Sequence, residues 1–121
     1  MIDKFFPANF SLETPRVLLE PAQRGEKEIS FSITDKDSKT IVGTAAYDNI
    51  SFEDKSAGIT WEWMEPEETD QGLIKNLKFA LLSYGFEVMK LEKIEMKGDG
   101  SFAMLKKEWP GTKEIFFPEL C

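Results

Sequence analysis

The sequence predicts an α/β domain of the mixed, α+β kind: a mostly antiparallel sheet with one central β-α-β crossover. Three observations carry this. Apolar and polar residues alternate in Ile-Ser-Phe-Ser-Ile-Thr (29–34) and again in Ile59, Trp61 and Trp63, the period of half-buried strands. Across residues 71–89 the apolar positions Leu73, Leu77, Ala80, Leu81, Tyr84 and Val88 recur every three or four residues, the period of an amphipathic helix. Alternation then returns at residues 93–97, with Ile94 and Met96 inward. A strand, a long helix and a strand in succession call for a right-handed crossover with those two strands parallel.

Taken in order, residues 16–20 (Arg-Val-Leu-Leu-Glu) read as a short strand between Pro15 and Pro21, each of which stops regular structure. Residues 29–34 are the clearest strand. The polar turn 35–39 leads back into 40–49 around Gly43, an antiparallel hairpin, and the turn 53–56 leads to the aromatic strand 59–64. Thr69 and Asp70 are N-cap residues for the long helix. Gly85 inside that helix costs about 1 kcal/mol relative to Ala, which points to close packing there. Gly98, Asp99 and Gly100 then turn the chain, Ser101 caps a short helix to about Trp109, Pro110 and Gly111 end it, and 113–117 form a last strand. The order is β, β, β, β, α, β, α, β. No repeat, low-complexity tract or linker divides the chain, so residues 1–121 are read as one domain.

Composition narrows the function. The 22 acidic and 15 basic residues of this 121-residue chain leave a net charge of −7, the wrong sign for a phosphate-backbone binder, so no nucleic acid is expected. The absence of histidine removes the usual imidazole base, the Ser-His and Cys-His nucleophile pairs and the commonest metal ligand; no metal site is expected. Cys121 is the sole cysteine, so no internal disulfide forms and a reducing, cytoplasmic compartment is the expectation. Asp3, Lys4 and Pro7 interrupt the N-terminal apolar residues, and no stretch approaches the roughly 18 apolar residues of a spanning helix. Neither secretion nor membrane insertion is expected.

Ligands in open α/β sheets favour the carboxyl ends of parallel strands, where a helix N-terminus offers free N–H groups to an anion. Here that place is residues 67–75, Glu-Glu-Thr-Asp-Gln-Gly-Leu-Ile-Lys. Gly72 allows close backbone approach, and Lys75 and Lys78 add positive charge. Glu65, Glu67, Glu68 and Asp70 pull the other way: they suit the helix dipole and repel an anionic ligand. A phosphate site and a plain acidic helix start are both open readings. Trp61, Trp63, Phe79 and Phe86 read as core in preference to a ligand groove, and the charge runs 35–39 and 53–55 as solvated turns.

The order of elements, with 12–21 as opening strand, Phe31-Ser32-Ile33, Ile41-Val42-Gly43-Thr44, Trp61-Glu62-Trp63, the helix segment 77–87 and the strand 91–95, resembles the GNAT superfamily of acetyl-CoA-dependent N-acetyltransferases, in particular its ribosomal-protein-alanine acetyltransferase-like branch. The resemblance implies a GNAT-like fold, acetyl-CoA as cofactor and an amine-bearing small molecule or a protein N-terminus as acceptor. It places the cofactor against Trp63, Met64, Gln71, Gly72, Leu73, Ile74 and Lys75, with pantetheine pairing to the strand after Thr60. The sequence departs from the family in several places. Of the loop Gln/Arg-x-x-Gly-x-Gly/Ala, aligned with residues 69–74, only Gly72 is kept, and Asp70 and Ile74 hinder a pyrophosphate by charge and volume. Many relatives carry a glutamate base just before Trp-x-Trp, where this chain has Gly58; Glu62 is the candidate base in its place. Ser101 matches the serine of an Asn-x-x-Ser element and is a candidate catalytic residue or a simple N-cap, with Gly98 at the asparagine. The segment 22–28 replaces the usual first two helices, one wall of the acceptor site.

Two functions follow: an acetyl-CoA-dependent N-acetyltransferase with this reduced site, or a non-catalytic scaffold for homodimerisation or protein binding. Phe5, Phe6 and Phe10, and Phe-Phe-Pro at 116–118, read as apolar ends that call for packing partners, with a second subunit as one source.

Overall fold

The structure, a computed structural model, describes residues 2–7, 10–97 and 102–120. Seven strands lie side by side in chain order: β1 (Leu12–Glu13), β2 (Val17–Arg24), β3 (Ile29–Asp35), β4 (Thr40–Ser51), β5 (Ser56–Trp63), β6 (Lys93–Met96) and β7 (Phe102–Leu105). Every neighbouring pair is antiparallel except β5 and β6, which run parallel. Helix α2 (Gln71–Ser83) makes the crossover between them; a four-residue α1 (Ile2–Phe5) precedes the sheet and α3 (Trp109–Phe116) follows it. This is the mixed, mostly antiparallel fold that the alternation predicts. No helix stands between β2 and β3, which a tight turn joins through Gly25 N–H donating to Glu28 O.

One sheet face is buried. Phe31, Ile33, Tyr47, Ile59 and Ile94 are almost wholly inaccessible and meet Leu77 and Leu81 of α2 in the core, and the buried Tyr47 hydroxyl donates to Leu81 O at 2.5 Å. The opposite face carries the alternate residues, among them Thr44, Asp48, Thr60 and Glu62, at least partly exposed. Asp70 caps α2 by accepting from Leu73 N–H, as its position predicts. The helix continues into a π-helical turn, Tyr84–Val88. That wider turn inserts one residue into the apolar period, so Met89 is buried and Val88 is exposed, the reverse of the 3.6-residue expectation. Gly85 sits where a Cβ would lie 2.6 Å from Ile94 Cδ1, which is the close packing its presence implied.

Four expectations are corrected. Pro21 does not end the first strand: it lies inside β2 opposite Phe31, next to an irregularity in register between Pro21 and Gln23 that accommodates a residue without an N–H. Residues 102–105 are a strand, paired with β6, not part of a helix. Residues 113–117 lie in and just after α3, not in a strand, because Pro110 and Gly111 sit in its first turn, where an absent N–H costs nothing. Finally, the N-terminal phenylalanines find their partners within the chain. Phe6 is fully buried with its ring centroid 5.0 Å from Phe10, 5.5 Å from Tyr84 and 5.7 Å from Tyr47, and Tyr84 Oη donates to Phe5 O. At the other end Phe117 is buried against Phe79 and Trp109, while Phe116 is exposed. The predicted turn at Gly98, Asp99 and Gly100, the Ser101 cap and Cys121 lie outside the described residues.

Among the described residues no helix is long and apolar enough to cross a membrane.

Two stability measurements check this packing. Phe6→Ala is expected to lower unfolding free energy by about 3–5 kcal/mol, as for a large buried aromatic, in urea titrations. Gly85→Ala is expected to cost about 1–3 kcal/mol by overpacking, and Ile94→Val in the same chain, which removes the clashing methyl, is expected to recover part of that loss.

Candidate functional site

The site follows from the parallel pair. Register runs from Ser56 opposite Lys93 to Ile59 opposite Met96, and Lys97 N–H donating to Ile59 O at 2.9 Å is its last bond among the described residues. Beyond it β5 continues through Trp61 and Trp63, paired with β4 and with no other strand among the described residues. The two strands therefore part at a fork, with α2 above it on the buried face.

Two cavities flank α2. The first, about 370 Å³, is apolar: Leu82, Met96, Met104, Phe116 and Phe117 line it, with Lys75, Lys78 and Thr112 at its polar positions. It lies where β6 ends and between α2 and α3. Lys78 Nζ stands 5.7 Å from the centroid of the Trp61 ring at the fork, and Lys75 Nζ pairs with Glu119 at 2.8 Å in an exposed bridge. Helix α3 is fixed against α2 by Glu87, whose Oε2 accepts from Trp109 Nε1 at 2.6 Å and Lys113 Nζ at 2.9 Å.

The second cavity, about 460 Å³, is polar and lies on the other side of α2; Arg16, Asp35, Thr40, Met64, Glu65, Asp70 and Leu73 are among its walls. Arg16 is its centre. Its Nε donates to Asp35 at 3.0 Å and lies 3.1 Å from Asp37, while Nη2 donates to Asp70 at 3.0 Å. The hydrogen bonds to Asp35, then to Asp70, raise the guanidinium pKa. Asp35 is held below the usual carboxylate range chiefly by Arg16, and Asp70 by the Leu73 N–H first and by Arg16 second. Asn76 completes the joint: its Oδ1 accepts from Arg16 N–H at 3.3 Å and its Nδ2 donates to Gly72 O at 2.7 Å.

The predicted cofactor residues divide between these cavities. Lys75 lines the apolar groove. Met64, 70% exposed, and the buried Leu73 line the polar cleft. Gly72 turns the same way: a Cβ there would lie 3.1 Å from Asp70 Oδ1 and 3.2 Å from Arg16 Nη1. Trp63 and Ile74 are half-buried and Gln71 is exposed. The anion position at the helix start is thus filled by the chain's own Asp70 carboxylate, capped by Leu73 N–H and faced by Arg16.

On the open sheet face, Glu62 is exposed opposite Thr44, on the segment of β5 that runs past the fork. Ser101 lies outside the described residues and is not located. Register also sets Asp48, Gly58 and Glu95 in one row across β4, β5 and β6, with Lys97 Nζ 3.1 Å from Asp48 Oδ1. Sequence reading missed two groups. Asp35 continues the inward phase of Ile29, Phe31 and Ile33, and an acid at such a position requires a cationic partner; that signal was present. The Asp48–Lys97 pair joins residues 49 positions apart through register alone, and carried no local signal. Among the described residues no group of three or more His, Cys, Asp or Glu is placed to hold a metal ion.

No family model and no curated protein matches the sequence. Solved structures match its fold. A GCN5-related N-acetyltransferase from Brucella melitensis superposes with a TM-score of 0.79 at 16% identity, covering 95% of this chain and 87% of that one. A protein provisionally described as an acetyltransferase from T. thermophilus gives 0.76 at 16% identity over 92% and 97% of the two chains. A dodecameric spermidine N-acetyltransferase from Vibrio cholerae gives 0.57 at 18% identity over 69% and 68%. The fold is that of the GNAT superfamily.

The Arg16 joint has a pH signature. Asp35 and Asp70 have depressed folded-state values, so the unfolded chain binds more protons in the window just below the free-carboxylate value of about 3.9. Their contribution is full above that value and is lost as pH falls through the folded ones. Arg16→Met is expected to cost about 1–3 kcal/mol at pH 7, leaving buried Asp35 without its cation, and its deficit in Tm against wild type is expected to shrink as pH falls from 6 to 3.

Proposed function

Starting from the GNAT fold, we propose that this chain is an N-acetyltransferase that moves an acetyl group from acetyl-CoA to an amine. The observation that carries the reading is the fork: β5 and β6 part after Ile59 and Met96 directly beside an apolar groove with Lys75 and Lys78 at its rim. A thioester with a long amide-bearing arm and charged phosphates matches those three features. The free edge of β5 at Trp61 and Trp63 offers backbone groups to the amides, Met96, Leu82 and Met104 offer apolar surface, and the two lysines offer charge to phosphate.

The residues present fit such a ligand in the groove and not at Gly72. A pyrophosphate at the first turn of α2 would meet the Asp70 carboxylate and take a place that Asp70 already fills. Of the loop residues, we therefore assign the contact to Lys75, with Lys78 added, and place Gly72 and Leu73 in the polar cleft. Trp63 bears on the ligand through its backbone.

With no wall between β2 and β3, the acceptor amine approaches over the open sheet face, which carries Glu62, Asp48 and Glu95 and attracts a cationic ammonium. A small amine and a protein N-terminus share that chemistry. The spermidine N-acetyltransferase among the structural neighbours supports the first class; the resemblance to the ribosomal-protein-alanine acetyltransferase-like branch supports the second. The scaffold reading loses one of its supports, since Phe6 and Phe10 pack within the chain.

Calorimetric titration with acetyl-CoA tests the reading. Micromolar binding is expected, and Lys75→Glu with Lys78→Glu is expected to weaken it by about tenfold or more, some 1.4 kcal/mol. A folded chain that gives no heat at millimolar acetyl-CoA contradicts it.

A further inference from the structure

On the open face, directly beside the fork, the chain has built a carboxylate site at a place where one strand supplies no side chain. Gly58 of β5 lies between Asp48 of β4 and Glu95 of β6 in register. A Cβ on Gly58 would stand 2.2 Å from Asp48 Oδ1 and 3.0 Å from both Cε and Nζ of Lys97. The Asp48 carboxylate and the Lys97 ammonium therefore occupy the volume that a side chain at 58 would fill. Lys97 is also the residue whose N–H closes the parallel pair on Ile59 O, so its side chain folds back from the fork onto Asp48. Both side chains are only about a quarter exposed, 28% for Lys97 and 25% for Asp48. The ion pair uses Oδ1; Asp48 Oδ2 has no hydrogen-bond or ion-pair partner among the described residues.

We propose that Asp48 is the proton acceptor of the transfer reaction, held over Gly58 by Lys97 and presenting Oδ2 to the acceptor ammonium at the fork. This rests on the acetyl-transfer reading. The ammonium R–NH3+ gives one proton to Asp48, directly or through one water. The free amine nitrogen then attacks the thioester carbonyl carbon, and the C–N bond forms as the C–S bond breaks. The second nitrogen proton goes to the departing thiolate, giving the amide and CoA thiol, and Asp48 releases its proton to water. Lys97 holds the carboxylate turned toward the fork; it is a positioning residue. The other charged groups near Asp48 are Glu95, whose Oε1 is 3.9 Å from Lys97 Nζ, Lys93 beside Gly58, and Glu26, Lys27 and Glu28 of the β2–β3 turn, which share a shallow cleft with it.

The test measures CoA thiol release from acetyl-CoA between pH 5.5 and 9, with spermidine and with an unblocked Ser-initiated peptide as acceptors. Acetyl-CoA binding and circular dichroism are measured on the same samples. Asp48→Asn is expected to keep fold and acetyl-CoA affinity and to lose about 10²-fold or more in kcat. Gly58→Ala keeps both charges and displaces the Asp48 carboxylate together with the Lys97 ammonium that holds it, so it is expected to lower kcat without changing acetyl-CoA affinity. Lys97→Met is expected to lower kcat with acetyl-CoA affinity unchanged, because the carboxylate loses the group that turns it toward the fork; a merely structural pair would leave kcat in place. If Asp48→Asn fails to fold, the Gly58→Ala and Lys97→Met rates decide. Asp48→Asn and Gly58→Ala both within twofold of wild type overturn the proposal and leave the transfer reading standing. A large loss in Glu62→Gln with Asp48→Asn at wild-type rate gives the proton to Glu62 and overturns it likewise. A wild-type chain that binds acetyl-CoA and releases no thiol with either acceptor overturns the transfer reading and this proposal with it.

Discussion

The parallel pairing of β5 with β6 is the constraint on which the rest of the molecule depends. Antiparallel neighbours can be joined by a tight turn, but a parallel neighbour needs a crossover, and here α2 and its π-helical turn supply it. Because β6 is four residues long and β5 eight, the pairing ends at Ile59 and Met96, and beyond it no strand among the described residues covers the second edge of β5. A bare backbone edge is otherwise a liability for a protein. Here Lys78, which lines the groove between α2 and α3, stands over the Trp61 ring of β5, so edge and cavity meet at the fork.

Charge placement on the two sides of α2 then separates the roles of two regions that look alike in sequence. At the helix start, Asp70, Asp35 and Asp37 surround Arg16, and the whole cluster joins β2 to α2 while closing the usual anion position at the dipole. One turn and two turns later, Lys75 and Lys78 face the groove. An acidic helix start and a cationic groove rim thus coexist on one helix, because residues 70 and 75 point to different sides of it.

Much of this was legible in the residues. The strands at 29–34, 40–49 and 59–64, the long helix, the parallel strand after it and the tight fit at Gly85 all follow from period, capping and propensity, since each depends on neighbours in sequence. The C-terminal portion was not legible, because Phe102–Leu105 becomes a strand through pairing with β6, a tertiary choice that overrode the local helix signal. The phase slip from Val88 to Met89 came from one wide turn that no propensity scale marks. Of the candidate site, Lys75 was found as a charge near the helix start, and its groove was not, since Met96, Met104 and Phe117 come together only in three dimensions.

A CoA thioester lying in the groove along the free edge of β5 would perturb a different set of amides from one bound at the start of α2. Amide chemical shifts of the isotope-labelled chain, recorded during titration with acetyl-CoA, therefore separate the two placements. The expected shifts concentrate at Trp61, Trp63, Lys75, Lys78 and Met96, with Arg16, Asp35 and Thr40 of the polar cleft unchanged. Shifts confined to the polar cleft, or none at millimolar acetyl-CoA, would contradict the groove as the thioester site.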